Sequence, residues 1–304
     1  MIPSRRSIMA GGACSALLAG LGGCGRKAAT SGTQTSDTQT SGTPAGNGPP
    51  EGSLDWAVQG PWRAADRVRD PSRHPVETLR FFGLQPSMTV IEFWPGSGWY
   101  TEILAPYLNK GGGTYYAAGF ATGPGADPAQ AALVANFEQR FTSDRKLYGD
   151  VKFTAFGAAT GPVAPAATAD LVLFMRNIQA WMAAGIVEKA FADAFAALRP
   201  GGFLGIEQHR LGPDEDQDPA AANGYVQEAF VKQLAAEAGF VFLASSEINA
   251  NETDTKDHPF GVETLPPQSL TAPRGQAPDP TFDRSKYDAI GESDRMTLKF
   301  RKPE

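Results

Sequence analysis

The sequence predicts an α/β fold built on a mostly parallel sheet, and three observations support this prediction. From Trp56 onward, short apolar runs alternate with amphipathic stretches, which is typical of strands joined by crossover helices. A glycine-containing turn directly follows one strand candidate, at 88–93. The last two strand candidates, at 240–248 and 296–301, have no helical pattern between them, so the globular part ends on a pair of strands.

The other strand candidates are also short apolar runs. The segment at 170–175, AspLeuValLeuPheMet, is apolar after its first residue, as a central strand buried on both faces requires. GlyPheLeuGlyIleGlu at 202–207 is a further strand candidate, and two more cover 113–118 and 151–156. The order of these segments along the chain predicts strands and helices in alternation.

Two helices show clear periodicity between the strands. The first ends before ArgProGlyGly at 199–202, and its apolar stripe consists of Val187, Phe191, Phe195 and Leu198. The second has Asn223 available as its N-cap and Gly239 at its end, and its apolar members are Val226, Phe230 and Leu234. The polar, proline-rich segment at 249–295 is long for a structureless loop, and such loops usually carry function or are disordered.

The N-terminus has the layout of a signal peptide over residues 1–23. Arg5 and Arg6 precede a short Ala/Gly/Leu stretch that closes on small residues. This stretch is too short to span a bilayer permanently, which requires about 20 strongly apolar residues. LeuGlyGlyCys at 21–24 resembles a bacterial lipobox, which implies cleavage before Cys24 and attachment of a lipid to its thiol.

An exported, lipid-anchored protein facing the periplasm is therefore expected. SerArgArg at 4–6 resembles a twin-arginine signal. The Gly/Ser/Thr/Pro-rich residues 24–53 predict a lipidated, flexible tether, and residues 54–304 are long enough for one domain with a substantial core. The only other cysteine, Cys14, lies in the segment to be removed, so the predicted domain has no thiol.

Charge and composition argue against several kinds of partner. The net charge is −6 and no basic run is present, which disfavours binding to nucleic acid or to an anionic lipid surface. The predicted membrane contact is through the lipid on Cys24. The three histidines have neither cysteines nor suitably spaced carboxylates around them, so no metal site is predicted.

The segment at 90–100, ValIleGluPheTrpProGlySerGlyTrpTyr, carries the clearest chemical pattern. It places Glu92 at the end of a strand, then a tight turn, then the start of a helix. Glycines at 96 and 98 let the backbone approach a ligand and leave the first helical N–H groups pointing into the crevice. The carboxyl ends of parallel strands are the expected place for a ligand.

This segment resembles the turn of the class I S-adenosylmethionine-dependent methyltransferases, which have an acid, an apolar residue and a GxGxG sequence. Residues 92–98 match that register, with Trp94 in place of the first glycine. LeuArgProGlyGly at 198–202 and PheMetArgAsnIle at 174–178 match further parts of the family, and the resemblance spans about 72–302. It implies a Rossmann-like fold with an antiparallel last strand, a long insertion before that strand, and S-adenosylmethionine as cofactor.

The resemblance implies a cofactor site formed by Glu92, Trp94, Pro95, Gly96, Ser97, Gly98, Trp99 and Tyr100. Glu92 would accept hydrogen bonds from the turn or meet the amine of the cofactor; its alternative role is to cap the helix. Trp94 and Trp99 would form the wall of a pocket for adenine or an apolar substrate, or pack in the core. A nicotinamide-binding turn is the competing interpretation, but it requires a small residue where Thr101 stands.

Three residues are candidates for catalysis. Arg176 and Asn177 follow a buried strand, so they would hold an acid and orient an acceptor, or form a buried ion pair and a turn. His209, two residues after Glu207, has a pKa suited to a general base, although a surface histidine is the alternative. His258 lies in the long insertion, which is expected to cover the site.

Two functions remain open on this evidence. The first is S-adenosylmethionine-dependent methyl transfer to an unidentified small-molecule acceptor, in which positioning supplies most of the catalysis. The second is a non-catalytic ligand-binding or structural lipoprotein that retains the fold. Trp94 and the sequence AlaAlaGlyPhe at 117–120, where the family has a second acid for the ribose, motivate the second. Residues 95–108 and 292–300 also resemble a narrower group of exported bacterial proteins predicted to be methyltransferases.

Overall fold

A computed structural model of the chain describes residues 48–123 and 125–304. The predicted signal peptide, the lipobox cysteine Cys24 and most of the predicted tether lie outside the described residues. The first helix begins at Leu54, and Ser53 caps it by accepting a hydrogen bond from the backbone N–H of Trp56 at 3.1 Å. Within the described ranges, no helix is long and apolar enough to cross a membrane.

The described residues form one seven-stranded sheet with the strand order β3-β2-β1-β4-β5-β7-β6. The strands are β1 Thr89–Phe93, β2 Thr114–Phe120, β3 Lys152–Phe156, β4 Ala169–Met175, β5 Leu198–His209, β6 Val241–Ser246 and β7 Arg295–Arg301. Neighbouring strands pair in parallel except at β7, which is antiparallel to both β5 and β6. This topology confirms the predicted fold class, including the antiparallel last strand.

Helices join the consecutive strands, except β3 and β4, and cover both faces of the sheet. They are α1 Leu54–Val58, α2 Asp70–Arg73, α3 Pro75–Phe82, α4 Thr101–Gly111, α5 Pro128–Thr142, α6 Arg145–Tyr148, α7 Ile178–Ala183, α8 Val187–Ala197, α9 Glu228–Glu237 and α10 Ser285–Ile290. Short 3-10 turns occur at Pro61–Arg63, Arg67–Arg69 and Gly261–Thr264. The predicted alternation of strands and helices is therefore present along the parallel strands except between β3 and β4, where residues 157–168 form no helix.

The side chains of strand β1 alternate between the two faces of the sheet and so belong to two layers of the core. Ile91 and Phe93 point to the face covered by α7, α8 and α9, where they pack near Trp181. Val90 points to the opposite face, which is covered by α1, α3, α4 and α5. Each fully buried large apolar side chain contributes roughly 1.5–3 kcal/mol. Glu92 alternates to the same side as Val90 and is therefore a carboxyl placed in an apolar layer.

Helix α9 differs from the sequence-based expectation. It begins at Glu228 with Gln227 as its N-cap, whereas Asn223 was expected to cap it. The side chain of Asn223 instead accepts a hydrogen bond from the backbone N–H of Tyr225 in a turn, at 3.0 Å. The backbone N–H of Val226 donates to the carbonyl oxygen of His209 at 2.9 Å. This pairing with the extension of β5 keeps the segment out of the helix.

Two other boundaries also differ. Leu198, expected on the stripe of the preceding helix, is the first residue of β5, because α8 ends at Ala197. A short helix, α10, lies between β6 and β7, where the sequence shows no helical pattern. Arg284, its N-cap residue, forms a salt bridge with Asp288 at 2.6 Å. Such side-chain pairs four residues apart support a helix without any apolar stripe.

Candidate active site

A crevice of about 310 Å³ opens at the carboxyl ends of β1, β4 and β5. Its size is within the range of small-molecule sites, roughly 300–1,000 Å³. Among the predicted site residues, the following line it: Glu92, Trp94, Pro95, Gly96, Ser97, Trp99, Tyr100, Arg176, Asn177 and His209. Gly98 does not line the crevice. The structure thus brings together residues from three strand ends that are far apart in the sequence.

The two glycines of the turn have different roles. Gly96 has φ +60° and a Cβ built on it meets nothing within 4 Å, so the turn is open towards the crevice. Gly98 has φ +95°, but a Cβ there would lie 2.4 Å from the ring of Phe141 in α5. Gly98 therefore permits the packing of α5 against the turn. The close backbone approach predicted for both glycines is available at Gly96.

Glu92 is buried below the turn, with 2% of its surface exposed. Its Oε2 accepts hydrogen bonds from the Tyr115 hydroxyl at 2.5 Å and from the Thr101 hydroxyl at 3.3 Å. Side chains of β2 and α4 thus hold it, whereas the resemblance implied the N–H groups of the turn or the amine of the cofactor as its partners. Burial raises the pKa of Glu92 to about 7, although these two hydroxyl groups act in the opposite direction.

Trp94 closes one side of the crevice. Its φ of 44° is left-handed, a conformation that costs a non-glycine residue roughly 1–2 kcal/mol. The indole N–H donates to the carbonyl oxygen of Phe156 at 2.9 Å, and the ring lies 4.4 Å from that of Phe120 and 5.8 Å from that of Trp181. The indole therefore covers the ends of β2 and β3 while it also lines the crevice. Trp94 combines the two roles considered for it, core packing and pocket wall.

Arg176 and Asn177 follow β4 and hold the centre of the site together. Arg176 also has a left-handed φ, 61°, and its Nη1 donates to Glu207 Oε1 at 2.7 Å. The side-chain amide of Asn177 donates to the carbonyl oxygens of Phe93 and Trp94, at 2.8 and 3.2 Å. The ion pair and the turn contact, considered as alternatives to catalysis, are thus both present, and both residues still line the crevice.

A buried cluster of charges lies beside Arg176. Its three guanidinium groups and two carboxylates belong to Arg73, Arg176, Arg295, Glu207 and Glu292. Arg73 Nε donates to both carboxylate oxygens of Glu292 at 2.9 and 2.8 Å, and Arg295 Nη1 lies 2.8 Å from Glu292 and 3.3 Å from Glu207. Tyr100 donates its hydroxyl to Glu207 at 2.9 Å. The flanking guanidinium groups lower the pKa of Glu207 to about 2, even though burial acts to raise it.

His209 lies at the end of β5, on the same side as Glu207. Its Nδ1 is 2.6 Å from the Ser293 hydroxyl, and within the described ranges its Nε2 has no hydrogen-bond partner. Burial, reinforced by the charges of Arg176 and Arg295, lowers the pKa of His209 well below its ordinary value. The imidazole is therefore neutral near neutral pH. His209 therefore lines the crevice and is not an exposed surface histidine.

Part of the long insertion forms one wall of the crevice, as expected. This wall segment, residues 262–268, is held by Arg284, whose Nη1 donates to the carbonyl oxygen of Thr264 at 3.1 Å. His258 does not line the crevice; its Nε2 is 2.7 Å from Asp254 in a buried pair. The described part of the chain contains no group of three or more His, Cys, Asp or Glu residues that could hold a metal ion.

The sequence did not identify several residues of the crevice. Arg73, Glu292 and Ser293 come from polar segments without any periodic pattern, and Arg73 is 219 residues from Glu292. Trp99 was identified, but as a pocket wall or a core residue. Its ring lies 4.9 Å from the guanidinium of Arg73 and 5.0 Å from that of Arg63, and its indole N–H donates to the backbone. Trp99 therefore positions Arg73 in the crevice wall.

Comparison with known proteins supports the fold. No family model and no curated protein matches the sequence. A solved geranyl diphosphate methyltransferase in complex with SAM is 14% identical, with a TM-score of 0.51 over 81% of this chain and 94% of that one. A putative sarcosine dimethylglycine methyltransferase from Galdieria sulphuraria is 13% identical, with a TM-score of 0.49 over 79% of this chain and 88% of that one.

A SAM-dependent methyltransferase from Aquifex aeolicus is 19% identical, with a TM-score of 0.47 over 61% of this chain and 92% of that one. Of these three structures, the geranyl diphosphate methyltransferase has a TM-score above 0.5. Its similarity extends across most of both chains. The chain therefore has the Rossmann-like fold of the class I S-adenosylmethionine-dependent methyltransferases.

Proposed function

We propose that the protein is an S-adenosylmethionine-dependent methyltransferase that acts on a small molecule in this crevice. The observation that carries the proposal is the position of the crevice. It opens at the ends of β1 and β4, where the order of the parallel strands reverses, and this switch point is where open α/β sheets bind ligands. Since a fold alone does not fix a function, the residues at this point must also suit the cofactor.

The turn after β1 fits such a cofactor. Gly96 presents an open backbone to the crevice, and the indole of Trp94 offers an aromatic face on which a base can stack. Phe120 stands at the end of β2, so the ribose has no carboxylate partner there. When bound, S-adenosylmethionine supplies a methyl group on a positively charged sulfur. The protein has to hold the acceptor in line with that methyl group and exclude water.

The chain's own residues can meet these requirements. Ser293 lies at Nδ1 of His209 and orients the ring, which leaves Nε2 available to accept a proton from the acceptor. Asn177 fixes the turn by binding the carbonyl oxygens of Phe93 and Trp94. The wall segment limits access of water from one side. Positioning of the two reactants would then supply most of the rate enhancement.

Calorimetry with the purified full chain tests the proposal. S-adenosylmethionine and S-adenosylhomocysteine should both bind, and Gly96→Val should abolish binding because a side chain at this left-handed position strains the turn and enters the crevice. Gly112→Val is the matched control. Gly112 has φ +75° and an equally open Cβ position, but it lies at the end of α4, outside the crevice. Equal loss of binding in both variants would contradict the proposed site.

One observation favours the alternative, a non-catalytic ligand-binding or structural lipoprotein that retains the fold. The Trp94 indole covers the ends of β2 and β3 and packs against Phe120. A cofactor that requires contacts at the end of β2 would then be excluded. A folded wild-type chain that binds neither S-adenosylmethionine nor S-adenosylhomocysteine would support this alternative and reject methyl transfer.

We also propose that the protein is exported, lipidated at Cys24 and anchored to a membrane with its domain facing the periplasm, like the narrower group that residues 95–108 and 292–300 resemble. The support is the sequence of residues 1–23, with its paired arginines and lipobox. Intact-mass measurement of the protein extracted from bacterial membranes should show a chain that begins at a lipid-modified Cys24. Cys24→Ser should prevent this modification, and Cys14→Ser should not. An unmodified, uncleaved chain in the cytoplasm would reject the proposal.

A further inference from the structure

We propose that Arg73 and Arg176 bind an oxyanion on the methyl acceptor, so that the substrates are small molecules carrying a carboxylate or phosphate group near the nucleophile. This inference rests on the proposed function, since it names the acceptor class for the same crevice. Both side chains line the crevice, Arg73 from the end of α2 and Arg176 from the residue after β4.

The charges around the crevice leave an excess of one positive charge. In the cluster defined above, three guanidinium groups face two carboxylates. The other charged side chains that line the crevice have opposite partners, since Arg69 pairs with Asp66 and Glu263 pairs with Arg274. Glu92 is neutral below its raised pKa of about 7, so the excess of one positive charge is present below that pH. A bound monoanion would therefore balance the buried charge.

Both arginines also keep unused hydrogen-bond donors. Arg73 contacts Glu292 through Nε, and its Nη1 and Nη2 have no protein partner within residues 48–123 and 125–304. Arg176 uses Nη1 for Glu207, and its Nε and Nη2 likewise have none in those ranges. The nitrogen atoms of both arginines that have no protein partner are also accessible to solvent, since none of them is fully buried. Planar guanidinium forks of this kind match the oxygens of carboxylate and phosphate.

Each of the two guanidinium groups is held in the crevice wall at a cost. Burial lowers the pKa of Arg73 to about 10, and the charge of Arg176 is the next largest cause. Trp99 keeps Arg73 in place with its ring at 4.9 Å, and the left-handed φ of 61° at Arg176 adds backbone strain. Strained residues of this kind persist mainly at functional sites. An oxyanion between the two groups would relieve their repulsion.

The same anion would place the acceptor beside His209. Burial is the main cause of the lowered pKa of His209, and the anion would offset the next causes, the charges of Arg176 and Arg295, and so make Nε2 a stronger base. A hydroxyl of the acceptor then gives its proton to Nε2, and its oxygen forms a bond to the methyl carbon. At the same time the bond between that carbon and the sulfonium sulfur breaks, and its electron pair stays on the sulfur. The products are the methyl ether and a neutral thioether.

Binding of inorganic phosphate to the full chain, measured by calorimetry, tests the proposal. Wild type should bind phosphate, and Arg73→Gln and Arg176→Gln should each weaken binding about tenfold or more, as expected for loss of a charged hydrogen bond. Arg73→Lys and Arg176→Lys keep the charge and should weaken it less. Arg80→Gln is the control, because Arg80 is an exposed arginine paired with Asp55, outside the crevice. Thermal unfolding establishes that each variant is folded.

A second measurement separates the acceptor from the cofactor, whose own carboxylate could use the same arginines. Under the proposal, saturating S-adenosylhomocysteine leaves phosphate binding intact, and the lysine variants bind S-adenosylhomocysteine as wild type does. The inference is overturned if the arginines serve the cofactor. In that case S-adenosylhomocysteine competes with phosphate, and the variants no longer bind S-adenosylhomocysteine. They still bind methylthioadenosine, which has no carboxylate.

The remaining outcomes distinguish this inference from the proposed function. Wild type that binds S-adenosylhomocysteine but not phosphate rejects the oxyanion site and leaves methyl transfer standing. A second outcome is that wild type binds phosphate through Arg73 and Arg176 but binds no adenosyl compound. This result rejects methyl transfer, and it also overturns the assignment of the oxyanion to a methyl acceptor. Equal phosphate binding by wild type and all variants places the phosphate elsewhere and rejects the site.

Discussion

The two sides of the crevice differ in the side chains that form them, which are aromatic on one side and charged on the other. On the side of β2 and β3, the rings of Trp94, Phe120 and Phe156 close the strand ends with apolar contacts. On the side of β4 and β5, the strand ends carry Arg176 and Glu207 within a buried network of charges. Both sides meet at the turn after β1. The difference indicates that one side supplies shape and the other supplies electrostatic recognition.

Each side also contains one non-glycine residue with left-handed backbone, Trp94 and Arg176. In both cases hydrogen bonds hold the strained residue, through Phe156 for the indole and through Glu207 for the guanidinium. The energetic consequences of disrupting the two sides should differ. Loss of one charge leaves its buried partners uncompensated, whereas loss of one ring leaves a cavity that neighbouring rings and water can partly fill.

The largest effect is expected on the charged side. Glu207→Gln should lower the free energy of unfolding by about 3–5 kcal/mol, because Arg176 and Arg295 would keep buried charges without this carboxylate. Urea unfolding followed by circular dichroism measures the change. Glu252→Gln, on an exposed residue, is the control and should have almost no effect. A loss of less than about 1 kcal/mol for Glu207→Gln would contradict a large electrostatic contribution of Glu207 to stability.

A smaller, pH-dependent effect is expected at the junction of the two sides, at Glu92. Its folded-state pKa is raised from 4.5 to about 7, so its stabilising contribution is complete below pH 4.5 and is lost as the pH rises to about 7. Relative to Glu92→Gln, which stays neutral, wild type should lose about 3 kcal/mol over this interval. Unfolding of both proteins at about pH 5 and about pH 8 tests this. Parallel pH profiles would contradict the buried, protonated carboxyl.

The smallest effect is expected on the aromatic side. Trp94→Gly should destabilise the protein by about 2 kcal/mol, since the loss of a half-buried ring outweighs relief of the left-handed backbone. Trp94→Phe retains a ring and should lose about 1 kcal/mol, mainly from the hydrogen bond to Phe156. Denaturant unfolding of the pair measures both changes. If Trp94→Gly is more stable than wild type, strain dominates and the indole does not stabilise this side.

The sequence predicted the sheet and the turn better than the charged side. Apolar runs such as 170–175 mark buried strands without reference to distant residues, and the structure has a strand there, at Ala169–Met175. The start of α9 was misplaced, because the pairing of Val226 with His209 overrides a local cap at Asn223. This pairing joins two segments that only the folded chain brings together.

For the site, the sequence predicted residues next to strand ends, including Glu92, Arg176 and His209. It could not predict that Arg73 and Glu292 complete the cluster, because their contact depends on how α2 and the segment before β7 approach the same crevice. The sequence also left two roles open for Arg176. The structure shows the ion pair with Glu207 and, in addition, guanidinium nitrogens that keep no protein partner in the described ranges.

The wall segment, residues 262–268, comes from a single connection between β6 and β7, whereas the turn and the charged cluster lie on or next to the regular elements. Insertions and deletions in such a connection leave the pairing of the strands intact. Descendants of this protein could therefore change the size of molecule that enters the crevice while they inherit the same turn and the same charges. Acceptance of new substrates and maintenance of the fold would then evolve as nearly independent traits.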